Sequence, residues 1–202
     1  MNYEDNYQKS LEEGLEFENY CYRWLEVHKG AKLIPCKGKI EQIQIGENKL
    51  GIEFKLDKKF RETGNLYIEI KERRHPGLNY TDSGIFRKDN SWLYAIGDYQ
   101  SLYVFAKNRL VDCYRWAVKN ANNEFRIVEN QTKTSFGLLL PVSQVNARNL
   151  NATLWNLCPV TTEELNRSRG FYLPAVTASR KRTKQNGQLS LDIEENQQLA
   201  IF

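Results

Sequence analysis

Apolar and polar residues alternate with a period of two in two stretches near the middle of the chain. The first contains Ile52, Phe54 and Leu56 between Glu53, Lys55 and Asp57, and the second contains Leu66, Ile68 and Ile70 between Glu69 and Lys71. This alternation predicts two strands that each have an apolar face and a charged face. Residues 63–65, Thr-Gly-Asn, form a turn signal. We therefore expect an antiparallel pair in which Glu69 lies opposite residues 53–57, so that three carboxylates converge.

Residues 7–28 show helical spacing. The apolar positions are Leu11, Leu15, Tyr22 and Leu25, and Phe17, Cys21 and Trp24 broaden the stripe. The pattern predicts an amphipathic helix of roughly five turns. Glu18 falls near the centre of the stripe, and a carboxylate that faces a core needs a partner. Two interpretations are open: a local buried hydrogen bond or salt bridge, or a contact with the carboxylates of the predicted strands.

The remaining pattern predicts alternating helices and strands. Residues 32–36 are predicted as a strand, residues 91–97 and 101–106 as a strand pair, and residues 108–118 as a helix. Residues 72–91, rich in Arg, Gly, Asn and Asp, are predicted as a loop over the charged face. This alternation predicts an α/β fold.

The 202 residues, of which 41% are hydrophobic, suffice for one core. We expect one domain over residues 1–175, with a core at residues 10–120 and a C-terminal elaboration at residues 121–175, followed by a flexible basic tail at residues 176–202. No apolar run approaches the roughly 18 residues of a membrane helix, and the polar start is unlike a signal peptide. We expect a cytoplasmic protein without membrane contact.

The 4 cysteines lack a C-x-x-C pair, which favours reduced and mostly packed thiols.

Carboxylates and lysines on one strand face suggest a specific chemistry. Crowded carboxylates favour a hard divalent cation such as Mg²⁺ or Mn²⁺, which lowers the pKa of bound water. A lysine there can stabilise charge on a phosphodiester. The alternative interpretation is an amphipathic hairpin whose charged face is solvated, with Glu and Lys paired across strands. The net charge is +4, and a cluster of basic residues predicts contact with DNA phosphates: Lys58, Lys59, Arg61, Arg73, Arg74, Arg87 and Lys88.

These residues resemble the motifs of the PD-(D/E)XK nuclease superfamily. Residues 14–18 resemble the G-x-x-x-E of its first helix, residues 51–57 its second core strand, and residues 68–71 its third strand with Glu-x-Lys. The resemblance covers residues 10–120 and implies a restriction-endonuclease-like mixed β-sheet core flanked by helices. It also implies a Mg²⁺-dependent DNA endonuclease that can form a homodimer. The implied catalytic residues are Glu18, Glu53, Asp57, Glu69 and Lys71, with metal held by Glu53, Asp57 and Glu69.

The chain departs from the family pattern in having no Pro-Asp pair. Glu53 and Asp57 compete for the role of main metal ligand, and Lys55 is an alternative to Lys71 as the catalytic lysine. The sequence leaves both choices open. A catalytically inactive nucleic-acid-binding module of the same fold is a second hypothesis for the function.

The tail contains a second short motif. Residues 188–193, Gln-Leu-Ser-Leu-Asp-Ile, resemble the peptide by which bacterial replication proteins dock on the sliding clamp. Gln188, Leu189, Leu191 and Ile193 would then bind this partner, with apolar side chains in pockets and the glutamine supplying hydrogen bonds. A third hypothesis is therefore a clamp-binding adaptor or inhibitor that acts through the tail.

Overall fold

The structure is a computed structural model that describes residues 3–36, 40–42, 46–120, 125–146, 150–161 and 163–164. The helices are α1 (Tyr3–Lys29), α2 (Phe60–Thr63) and α3 (Lys107–Asn120). The strands are β1 (Ile52–Leu56), β2 (Asn65–Glu72), β3 (Thr81–Asp82), β4 (Leu93–Gly97), β5 (Ser101–Ala106), β6 (Arg126–Glu129), β7 (Ser135–Pro141) and β8 (Thr153–Asn156). Short 3-10 turns cover Gly84–Phe86 and Val142–Gln144. The predicted α/β class is confirmed.

The strands form two sheets of four strands, with the orders β1-β4-β5-β8 and β3-β2-β7-β6. β1 runs parallel to β4, and the other pairs are antiparallel. The predicted hairpin of β1 and β2 is therefore wrong, because these strands lie in different sheets. β4 is buried along its whole length, which makes it a suitable partner for a parallel strand. The chain leaves β1 through Asp57 and α2 rather than through a tight turn.

The first sheet separates two apolar cores. On one side α1 contributes Phe17 and Leu25, which pack with Phe54 of β1. On the other side Tyr94 and Ile96 of β4 belong to the core that includes β2, β7 and α3. Because side chains alternate along a strand, the residues of β1 that flank Phe54 lie on the side of the second sheet. The charged positions of β1 are thus directed between the layers.

Several predicted elements differ in detail. Leu11 and Leu15 are 45% and 50% exposed, so the buried stripe of α1 is instead formed by residues such as Phe17 and Cys21. Residues 32–36 are not a strand but form one isolated bridge, between Pro35 and Asn48. The predicted strand pair β4–β5 and the helix α3 are confirmed. Among the helices of the described residues, none is long and apolar enough to cross a membrane.

Candidate functional site

Glu53 of β1 is a fully buried carboxylate at the predicted site, with 0% exposure. Its two oxygens lie 3.1 Å from Lys55 Nζ, 3.5 Å from Arg87 Nη2 and 3.5 Å from Lys107 Nζ. A buried carboxylate is costly unless cations compensate its charge. Even so, the Oε1 atom accepts no hydrogen bond of good geometry. The nearby cations therefore compensate the charge of Glu53 mainly through electrostatic attraction, and its Oε1 atom makes no directional hydrogen bond.

Lys55 lies between acids of the two sheets. It follows Glu53 by two residues and therefore projects from the same face of β1. Burial alone would lower the pKa of Lys55, but Glu53, Glu47 and Glu69 together hold it well above its ordinary value. The side chain is 30% exposed. Lys55 is thus a stable cation that connects the buried acids to the surface.

Glu69 of β2 approaches Lys55 from the second sheet. Burial raises the pKa of Glu69, while Lys55 and a hydrogen bond from Ser83 oppose this rise. The Ser83 hydroxyl donates to Glu69 Oε1 at 2.5 Å. The next residue, Gly84, has a φ of 49°, and a Cβ there would lie 2.1 Å from the Glu69 carbonyl oxygen. A glycine at this position is what allows the Gly84–Phe86 turn to press against β2.

Lys71 does not share this environment. The register between β2 and β7 shifts between Glu69 and Lys71, and such a bulge breaks the two-residue repeat of a strand. Lys71 is exposed, and the lysine that acts on the Glu69 carboxylate is Lys55. Of the two lysines left open by the sequence, the structure places Lys55 among the acids.

Asp57 has a different environment from Glu53. Its Oδ1 accepts a hydrogen bond from the Lys59 amide at 3.0 Å, and its Oδ2 accepts one from the Tyr67 amide at 2.9 Å. The bond from Tyr67 connects the end of β1 to the first half of β2. Both carboxylate oxygens of Asp57 are thus engaged by backbone, whereas Glu53 lies with Lys55.

Glu18 reaches the same region from α1. Burial raises its pKa to about 6 even though it accepts a hydrogen bond from the Tyr22 hydroxyl. Glu47 raises this pKa further, and Lys55 and Arg87 lower it. Both interpretations of Glu18 therefore describe part of its environment, because it has a local partner and also faces the charged residues.

The sequence interpretation missed three charged residues and one tyrosine. Glu47 lies 3.0 Å from Arg87, and Asp89 lies 2.7 Å from Arg87 and 3.1 Å from Lys107. Tyr94, the register partner of Glu53 on β4, is fully buried, and burial raises its pKa well above the ordinary value. Lys107 directly precedes the helix predicted at residues 108–118, where a cation opposes the helix dipole; the sequence therefore held one recognisable signal for it.

We call these charged residues the β1 cluster. Its members are Glu18, Glu47, Glu53, Lys55, Glu69, Arg87, Asp89 and Lys107. Carboxylates outnumber cations, and the cluster reaches solvent through Lys55 and Arg87, whose side chains are each 30% exposed. Acids and bases from both sheets, α1 and α3 thus meet at one place.

The oxygen donors suit a hard cation, but they do not form a ready-made cage. Within the described ranges, no group of three or more His, Cys, Asp and Glu is close enough to hold a metal ion. Mg²⁺ commonly binds one or two carboxylates and completes its coordination with water and substrate phosphate. Glu53 and Glu69 fit that requirement, because Glu53 has an oxygen without a hydrogen bond and the charges of both carboxylates raise the pKa of Lys55.

Most of the predicted DNA-binding residues already have acidic partners. Lys58 pairs with Glu13, Arg61 with Asp98 and Arg73 with Glu129, while Arg87 belongs to the β1 cluster; Lys59, Arg74 and Lys88 are exposed. The structure therefore distributes these cations over several elements rather than concentrating them in one patch. Gln188, Leu189, Leu191 and Ile193 lie outside the described residues.

Comparisons with known proteins identified no relative. A scan against protein-family models, a search of curated proteins and a search of solved structures each found no match.

Proposed function

We propose that the chain is a Mg²⁺-dependent DNA endonuclease of the cytoplasm, and that the β1 cluster is its active site. The observation that carries this proposal is the position of Lys55. Its Nζ lies 3.1 Å from the buried Glu53, and Glu69 of the other sheet helps to raise its pKa. Two carboxylates with an intervening ammonium are suited to phosphodiester hydrolysis, in which negative charge increases at the phosphate. The sequence resemblance supports the same reaction.

The metal would be held by Glu53 and Glu69, where Mg²⁺ or Mn²⁺ would lower the pKa of a bound water and offset charge on the phosphate. Lys55 stays protonated, because its pKa is held above the ordinary value. Its role is therefore to stabilise phosphate charge rather than to act as a base. Glu18, with a pKa of about 6, exchanges a proton close to neutral pH and is suited to accept the proton of the attacking water.

Site-directed variants test these assignments against matched controls. Lys55→Met should reduce cleavage by about 100-fold or more, whereas Lys71→Met on the exposed side of the bulge should leave the rate close to wild type. Glu53→Gln should abolish cleavage, whereas Asp57→Asn should retain it once the protein is folded. Rates are measured on single-stranded, duplex and branched DNA with Mg²⁺ or Mn²⁺. A fully active Lys55→Met variant would exclude the proposed site.

A catalytically inactive nucleic-acid-binding module is the second candidate. The observation in its favour is that Glu53 and Asp89 are already neutralised by Lys107 and Arg87 within the cluster, as in a purely structural ion network. This candidate replaces the first if the wild-type chain binds DNA but cleaves none of the three substrates. Deletion of residues 186–202, followed by a binding assay with a sliding clamp, tests the adaptor hypothesis separately.

A further inference from the structure

Two cations of the β1 cluster are shared between carboxylates. Lys107 Nζ lies 3.1 Å from Asp89 Oδ1 and 3.5 Å from Glu53 Oε2. Arg87 lies 2.7 Å from Asp89 through Nε, and its Nη2 lies 3.0 Å from Glu47 and 3.5 Å from Glu53. Both cations are therefore closer to Asp89 than to Glu53, and Asp89 has the larger share of their charge.

The environment of Asp89 favours its contacts with these two cations. Its side chain is 0% exposed, and its Oδ1 also accepts a hydrogen bond from the Ser91 amide at 2.9 Å. Burial would raise the pKa of Asp89, but Arg87, Ser91 and Lys107 together lower it below the ordinary value. The carboxylate thus remains ionised and fixed in place. A second anchor holds Lys107, which donates to the Arg87 carbonyl oxygen at 3.3 Å.

A divalent cation at Glu53 must compete with the ammonium and guanidinium groups around that carboxylate. Two unit charges a few ångströms apart interact strongly, even at the effective dielectric constant of a protein surface. A neighbouring acid that attracts those cations therefore makes Glu53 a better metal ligand. Lys55 has its own acids besides Glu53, because Glu47 and Glu69 also raise its pKa, and its side chain is 30% exposed.

We propose that Asp89 is a positioning residue that competes with Glu53 for Arg87 and Lys107, keeps both cations closer to itself than to Glu53, and thereby sets the affinity of Glu53 for a divalent cation. This inference rests on the proposed function, because it assumes that Glu53 binds metal. Asp89 itself does not contact the metal. When Asp89 loses its charge, Lys107 and Arg87 should move onto Glu53 and compete directly with the ion.

The test is a calorimetric titration of the full chain with Mn²⁺ in the absence of DNA. Asp89→Asn should weaken Mn²⁺ binding by about 10- to 100-fold, as is usual for residues that support a metal ligand. Lys107→Met should bind several-fold more tightly than wild type, because one competing cation is gone. The double variant should recover much of the affinity lost in Asp89→Asn, which a general loss of stability would not produce.

Asp98→Asn is the matched control. Asp98 also pairs with an arginine, at 2.5 Å from Arg61, and accepts hydrogen bonds from the Gln100 and Ser101 amides. It follows the C-terminal end of β4, whereas Glu53 pairs in register with Tyr94 near the start of that strand. Its substitution should reduce stability in a similar way and leave Mn²⁺ affinity unchanged.

The outcomes separate the two proposals. If wild type binds no Mn²⁺, or if Glu53→Gln binds as wild type does, the proposed metal site fails and this inference fails with it. If wild type binds through Glu53 but Asp89→Asn has wild-type affinity, only the role of Asp89 is refuted. If Asp89→Asn does not fold, Lys107→Met decides: tighter binding supports the inference, and unchanged or weaker binding overturns it.

Discussion

Replacing Glu18 by Gln should make the protein more stable at neutral pH. The pKa of Glu18 is raised by burial from 4.5 to about 6 in the folded state. The folded chain therefore holds this proton more tightly than the unfolded chain, and stability falls as pH rises from about 4.5 to about 6. The difference corresponds to about 2 kcal/mol. Glutamine resembles the protonated acid and can still accept the hydrogen bond from Tyr22.

The gain should therefore depend on pH with a defined sign. Above pH 6, Glu18→Gln should increase the free energy of unfolding by up to about 2 kcal/mol, and at pH 4 it should match wild type. Urea unfolding at pH 4, 5, 6 and 7.5 measures the difference. Glu16→Gln, an exposed site on the same helix, is the control and should show little change. A variant that is no more stable than wild type at pH 7.5, or equally stabilised at pH 4, would refute the reasoning. The proposed cleavage activity should fall in the same variant, because Glu18 is the residue proposed to accept the proton of the attacking water.

Three further substitutions or probes test the structure around the site. Asp57→Asn should lower the free energy of unfolding by about 1–3 kcal/mol, because its NH₂ group would face the backbone amide of Tyr67 or Lys59. Its Mn²⁺ affinity should equal that of wild type, and a loss of Mn²⁺ binding would instead identify Asp57 as a metal ligand. Gly84→Ala should cost about 3 kcal/mol through backbone strain and a clash with Glu69, and a wild-type melting temperature would contradict this. Cys158 is the exposed thiol among the free cysteines, so in the native protein a thiol reagent should label it first, with the other three reacting only on unfolding.

The sequence pattern was most informative about burial. Alternation identified Leu66, Ile68 and Ile70 as an inward-facing row, and each is at most 3% exposed in the structure. Alternation could not identify which strands pair. Pairing depends on contacts with segments that are distant in sequence: β1 pairs with β4, a central strand that is buried along its whole length, rather than with β2.

The candidate site shows the same division. Glu18 could be proposed because an acid within an apolar stripe is unusual in a sequence, and Glu53 and Glu69 because they share the charged faces of two alternating strands with lysines. The exchange of Lys71 for Lys55 could not be settled, because the bulge between Glu69 and Lys71 is a property of the pairing with β7. Asp89 lies in a polar loop, where nothing in the local pattern distinguishes a buried acid from an exposed one.

The division of β1 and β2 between two sheets has a consequence for the timing of folding. Neither sheet alone contains the β1 cluster, since Glu53 and Glu69 lie in different sheets and Glu18 lies on α1. Contacts between distant segments form late, because the chain must first lose the entropy of long loops. A nascent chain that has produced β1 and β2 but not α3 would also lack Lys107. The proposed nuclease activity should therefore appear only with the completed fold.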